Sequence, residues 1–424
     1  MSEHHKFRYL LPPGNNFAFV AKFRIWLIIS ILLMGGSISM LFINKSVRGE
    51  YMNWTTDFKG GTEIIFTFED TNTHKLIKAD AGKLRETLAK EGEDGFEVSD
   101  ISWEGDDGKL VDGMKVVSPR FSALPPDVEE KARQDIRTTF KDRDISKATW
   151  SGDRLNVRSK KPITIAEATP LFAKYKLELK PWVGKAIELY THADEGTHEF
   201  NQWYDIWGID RQYAQVFEKA MPNTKVGVYN SYGVGAKAGE KLRDDAAKSI
   251  VYAIFLIMLY LAFRFDIRYA PGAAFATIHD AIMVIGVFAL TWTDVSLTSV
   301  AGLLTVMGYS VNDTVIVFDR IRENQAKLKD KKIERIIDIS INEMLVRTIL
   351  TSSTVFATTL IMNIFGTGVV KNFAFAMNIG VIVGTYSSIF LAAPIFMWIS
   401  KRWYSGPLPA KRRPAPVAAP TAEG

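Results

Sequence analysis

No cysteine occurs in the 424 residues, which excludes disulfides and thiolate metal sites and leaves the redox compartment open. Histidine is scarce as well, with six in all. His192 and His198 stand beside Asp194, Glu195 and Glu199 in the Trp-rich run "ELYTHADEGTHEFNQWYDIWGIDRQY", but they follow no strong metal-ligand spacing. A solvated loop or a packed helix face is the better reading there, and no metal is expected. A concentrated basic stripe is also missing. The formal net charge is +5, yet Lys and Arg are scattered beside apolar runs, an arrangement that speaks of membrane topology and not of nucleic acid.

What the chain has in quantity is hydrocarbon. Hydrophobic residues make up 47% and charged ones 23%, and the two are segregated. Six apolar runs lie at Ile25–Ile43, Ala246–Phe263, Pro271–Thr291, Leu297–Phe318, Met344–Phe365 and Phe373–Ser400, each near the ~20 residues that a helix needs to cross a bilayer. The expectation is a polytopic α-helical membrane protein with one early and five late spans. The first run has the basic flank of a signal peptide, but it exceeds an h-region of about 7–15 residues and no small-x-small site follows, so it reads as an uncleaved anchor. Lys22 and Arg24 precede it, Arg264 and Arg268 follow the second run, residues 320–335 are rich in Lys and Arg, and Lys401, Arg402 and Lys411 lie near the end. The connections at 291–296 and 366–372 contain a single basic residue, Lys371. This bias puts segments 1–24 and 401–424, and with them both termini, in the cytoplasm with the loop 319–343, and puts 44–245 beyond the far face.

The segment 44–245 reads as α+β. "TEIIFTF" (62–68) and "MKVVSP" (114–119) are strand-like, and "ADAGKLRETLAKEG" (79–92) is an amphipathic helix with Leu84 and Leu88 on one face. "ALPPDVEEKARQDIRTTFKD" is a helix begun by prolines and an acidic turn. Gly60 and Gly61, in the same stretch as Asp57, permit a tight turn or close backbone approach ahead of the strand at Thr62. Residues 319–343 alternate charge at helical spacing and read as a cytoplasmic amphipathic helix or two, and the Pro- and Ala-rich tail reads as disordered.

Polar residues inside the apolar runs carry the functional signal, because an ionisable group at mid-membrane costs about 2.5–3.5 kcal/mol and marks a pathway or a protein interior. Asp313 lies ~9 Å along a helix from Asp319. Gly302, Val306, Tyr309 and Asp313 share one stripe, with Thr305, Gly308 and Asn312 on the next. Arg347 sits ~6 Å beyond Glu343, and Thr351, Thr354 and Thr358 continue its stripe. Hydroxyls with ordered water can pass protons to a carboxylate whose hold on them depends on how near the arginine stands. His279 and Asp280 in the third run are either a second titrating pair or a buried packing pair. An intramembrane aspartyl protease needs Gly-x-Gly-Asp where this chain has "VND", so catalysis is not expected.

Five motifs stand in register with the six runs: "TDFKGGT" (56–62), "YLAFRFDIRYA" (260–270), "IHDA" (278–281), "GYSVNDTVIVFDRIREN" (308–324) and "RTILTS" (347–352). Over residues 17–65 and 228–403 they resemble the SecD/SecF protein-export family of the RND superfamily. The resemblance implies six transmembrane helices of RND type with a periplasmic domain between the first two, in a bacterial inner membrane. It implies that Asp313 and Arg347 are a proton-relay pair completed by an aspartate from SecD, with protons as coupling ion and no cofactor. The implied partners are SecD, the SecYEG translocon, YajC and a translocating unfolded polypeptide. "VYNSYGVGAKAGEKL" (228–242) departs from the family by placing Ala236 where Pro is common, and residues 140–225 read as an insertion. A small-molecule exporter of the same superfamily and a non-conducting scaffold subunit are the competing readings.

Overall fold

A computed structural model describes residues 16–105, 108–124, 126–175, 177–180, 193, 196 and 198–403. Trp182, His192, Asp194, Glu195 and the tail lie outside them. The chain forms two compact units, residues 54–246 and residues 1–53 with 247–424.

In the first unit, strands β1 (Gly61–Asp70), β2 (Glu97–Glu104), β3 (Leu110–Ser118) and β7 (Thr224–Val234) make an antiparallel sheet in the order β2-β3-β1-β7. Alternation turns Ile64, Phe66 and Phe68 of β1 to one face, where they are buried under Leu84 and Leu88 of a helix at Ala81–Lys90 and Tyr213 and Phe217 of a helix at Ile209–Ala220. Asp80 caps the first of these helices by accepting from the Gly82 and Lys83 amides at 2.7 and 3.3 Å. The chain order strand, helix, two strands, helix, strand is the split-βαβ, ferredoxin-like arrangement. Gly60 (φ +79°) and Gly61 (φ +107°) open β1, and a Cβ on them would stand 2.7 Å from Ala236 Cα and 2.3 Å from the Ser118 carbonyl. No other residue fits either position without moving backbone.

A second lobe is spliced between β3 and the 209–220 helix. It holds a helix at Pro126–Thr139, a sheet of β4 (Ile145–Ser151), β5 (Arg154–Ser159) and β6 (Phe200–Asp205), and a helix at Ile165–Lys174, around Trp150, Leu155, Phe172 and Tyr204. The stretch expected as an insertion, 140–225, is divided between the two lobes. The 126–139 helix packs in the second lobe, while the 209–220 helix and the start of β7 complete the first lobe's core. The Trp-rich run, expected as loop or helix, contributes strand β6.

The other unit contains α1 (Phe23–Arg48), the apolar part of α2 (Ala236–Arg264), α3 (Ala270–Thr291), α4 (Leu297–Lys327), α5 (Ile333–Phe365) and α6 (Gly368–Ser387), which passes through one π turn at Ser388–Ala392 into α7 (Ala393–Trp403). Among the described residues, six helical stretches are long and apolar enough to cross a membrane. The stretch 319–343, expected as an amphipathic helix or two, is helical in two pieces that continue spanning helices. α4 simply runs on to Lys327 and α5 begins at Ile333, joined by the turn of Leu328–Lys332, so its charges extend two spanning helices. Arg320 bridges them by an ion pair with Glu343 at 2.6 Å. Small residues set helix spacing. A Cβ on Gly286 of α3 would stand 2.1 Å from Ser37 Oγ of α1, and one on Gly384 of α6 would stand 2.9 Å from Ser310 Cβ of α4.

Candidate functional site in the helix bundle

Asp313 faces inward on α4 and is 1% exposed. Its stripe partners Gly302 and Val306 are buried with it, whereas Thr305, Gly308 and Asn312 point outward. Ser352 of α5 donates to Asp313 Oδ2 at 3.3 Å, and Thr385 Oγ1 of α6 lies 2.7 Å from Ser352 Oγ. Asp313 Oδ1 is buried with no hydrogen-bond partner, as is the Tyr309 hydroxyl one turn earlier. Buried polar atoms are nearly always paired, so an orphan carboxylate oxygen marks a place that receives something.

One turn from Asp313 on the same helix, Ser310 donates to Asp280 Oδ2 at 2.5 Å, and Ser387 of α6 donates to the same oxygen at 2.9 Å. His279 Nδ1 lies 3.0 Å from Asp280 Oδ1. The two acids thus belong to one polar layer that ties α3, α4, α5 and α6 together.

Among the described residues no ion pair joins Asp313 and Arg347. Arg347 is exposed on α5, near enough for its charge to be felt at Asp313. The threonine stripe does not lead to the acid. Thr351, Thr354 and Thr358 share the exposed face of Arg347 and bond back to carbonyls of their own helix at 2.7–3.0 Å. The hydroxyls that do reach the layer are Ser310, Ser352, Thr385 and Ser387, which sequence reasoning passed over. Their signal is helical phase: Ser310 is one turn from Asp313, and Ser352 lies one residue past Thr351 but on the opposite, buried side. Asn312 is exposed, and nothing in the structure explains it. Asp57, outside the membrane, receives a hydrogen bond from the Tyr232 hydroxyl. No cluster of three metal-binding side chains occurs among the described residues.

The profile for "Protein export membrane protein SecD/SecF, C-terminal" matches residues 212–402, which contain every member of this layer. This stretch is a SecD/SecF C-terminal domain. Relatives of the SecD/SecF domain include the protein translocase subunit SecF of Gemmatimonas aurantiaca, 40% identical over 197 residues, and that of Rhodothermus marinus, 39% identical over 204. These matches cover 46% and 47% of this chain and 59% and 66% of the relatives' lengths. The fold is that of SecDF, a translocon-associated membrane protein from Thermus thermophilus, with a TM-score of 0.57 at 23% identity over 92% of this chain and 39% of that one. SecDF in its super-membrane-facing form gives 0.51 over 93% and 40%. The SecD/SecF domain therefore sits in a multi-pass membrane protein related to translocase subunits.

Proposed function

We propose that this chain is a SecF-like subunit that works with SecD to couple proton entry to the export of polypeptides emerging from SecYEG, in a bacterial inner membrane with both termini cytoplasmic. The supporting observation is the buried, half-partnered carboxylate of Asp313 in a SecD/SecF-family domain, with Arg347 at hand but unpaired to it. An arginine that approaches such an acid favours its charged form, and one that withdraws favours proton uptake. Alternation between the two arrangements loads and unloads one proton, with a further acid supplied by the partner. No side chain performs covalent chemistry in this scheme.

The test is export stimulation by a proton gradient in vesicles that contain the partner complex. Asp313→Asn and Arg347→Met assemble with SecD at wild-type levels and lose the gradient-dependent part of export. Full stimulation in both variants removes the mechanism. A small-molecule exporter is the competing reading, which function without SecD would favour.

A further inference from the structure

The pair His279–Asp280 has no part in the Asp313–Arg347 scheme, yet it is buried as deeply as Asp313, at 1% and 0% exposure. Three donors converge on the Asp280 carboxyl: His279 Nδ1, Ser310 Oγ and Ser387 Oγ. With all three bonds made, Asp280 acts only as an acceptor, which is the role of a carboxylate. His279 then presents Nδ1–H to it. The other ring nitrogen, Nε2, is buried with no partner.

That arrangement has two charge states. With a bare Nε2 lone pair the couple carries a net −1. With Nε2–H formed the couple is a neutral ion pair. Among the described residues Asp280 has no ion pair besides that with His279. α4 brings Ser310 and, one turn on, a second acid, Asp313. α6 brings Ser387 and Tyr386, whose ring centroid lies 6.0 Å from the imidazole. α5 reaches the layer through Ser352, and its Arg347 is on the exposed side by Asp313. The π turn begins at Ser388, directly after the donor Ser387, a position at which a helix can shift register.

We propose that His279–Asp280 is a second proton-binding site contained wholly within this chain, which takes one proton at His279 Nε2. The nitrogen lone pair forms the N–H bond as an O–H bond of a delivering hydronium ion breaks and releases water, and the step reverses through the same nitrogen. Ser310 links the site to Asp313 through one turn of α4. The site extends the relay reading, but its protonation does not depend on Asp313 acting as the relay acid.

The test is nitrogen NMR of the full chain, labelled with ¹⁵N-histidine and reconstituted in liposomes, over a range of about pH 5 to 9, where histidine ordinarily changes charge. The His279 resonances are those lost in His279→Gln. The expected result is Nδ1–H throughout and a reversible change of Nε2 from bare to protonated. Asp280→Asn, or Ser310→Ala if that variant folds poorly, moves the midpoint, while Ser388→Ala leaves it in place. Asp313→Asn abolishes gradient-stimulated export yet keeps the transition, which separates this proposal from the relay reading. An imidazole that stays in one tautomer and one charge state across the range in wild type overturns the proposal, and so does a midpoint unmoved by Asp280→Asn and Ser310→Ala.

Discussion

Burial does to Asp153 what it does to few surface acids: it pushes the carboxyl up to about 6 from an ordinary 3.8. Desolvation is the main cause and the nearby charge of Asp210 adds to it, against a hydrogen bond from the Ala123 amide to Oδ1 at 3.2 Å. The folded state therefore holds more protons than the unfolded chain between pH ~4 and ~6, and stability falls as pH rises through that window and levels off above it. The full shift corresponds to about 3 kcal/mol at 1.36 kcal/mol per unit, and partial solvent screening reduces the effect to about 1–2 kcal/mol. Asp153→Asn keeps the bond to Ala123, so the variant is expected to lose this pH dependence and to exceed wild type by that amount above pH 6. The measurement is the urea midpoint of the solubilised chain at pH 4.5 to 7.5, read by proteolysis within 145–159. A wild-type midpoint that rises over the range contradicts the assignment. Nothing in "WSGDR" announces this residue, because its environment is built by Ala123 and Asp210, brought in from the two chain crossings between the lobes.

Elements were legible where one periodicity or one long apolar run dominates. The six spanning stretches are of this kind, as are β1 with its buried Ile64, Phe66 and Phe68 and the helix carrying Leu84 and Leu88. Phase was less legible. Two stripes of α4 and two of α5 all carry small or hydroxyl residues, and only the packing of α6 decides that Ser352 turns inward while Thr351 and Thr354 turn out. Charged continuations such as 319–327 concealed helix ends, since an amphipathic extension of a spanning helix and a separate surface helix have the same pattern. The splice between the two lobes was hidden for another reason: it is made by contacts distant in sequence. Phe121 lies against Gly152 of the β4–β5 turn and against Gly233 and Gly235 at the end of β7, where added Cβ atoms would meet its ring at 2.8, 3.2 and 3.4 Å. Glycine at these three positions gives the ring a flat seat shared by both lobes. Phe121→Ala removes a half-buried aromatic and is expected to cost about 1–3 kcal/mol, below the ~3–5 of a fully buried ring. Hydrogen exchange then quickens together in 150–156 and 231–236 and stays slow in 81–90. Faster exchange in only one of the two segments contradicts a shared seat.

At the scale of the whole molecule, the helices divide by what covers them. About 61% of the apolar stretch is buried in α3 and in α6–α7, against 6% in α1, 6% in α2 and 17% in α5. On α1 and α2 the uncovered side chains are those that lipid accommodates, such as Ile28, Leu32, Phe255 and Leu256. The open face of α5 differs, because Arg347, Thr351, Thr354 and Thr358 line it, and a guanidinium left in hydrocarbon is costly. Protein is the cheaper cover for that face. Absence of cysteine makes the question direct, since any introduced thiol is unique in the chain. Thr354→Cys, coexpressed with SecD carrying single cysteines along its own polar spanning helix, is expected to form a disulfide-linked heterodimer on mild oxidation, visible as a shifted band that reductant collapses. Phe255→Cys on α2 faces lipid by the same reasoning and gives no such band. Equal crosslinking from the two positions, or none from Thr354→Cys at any partner position, removes α5 as the contact between the chains and leaves Arg347 without a route to a second acid.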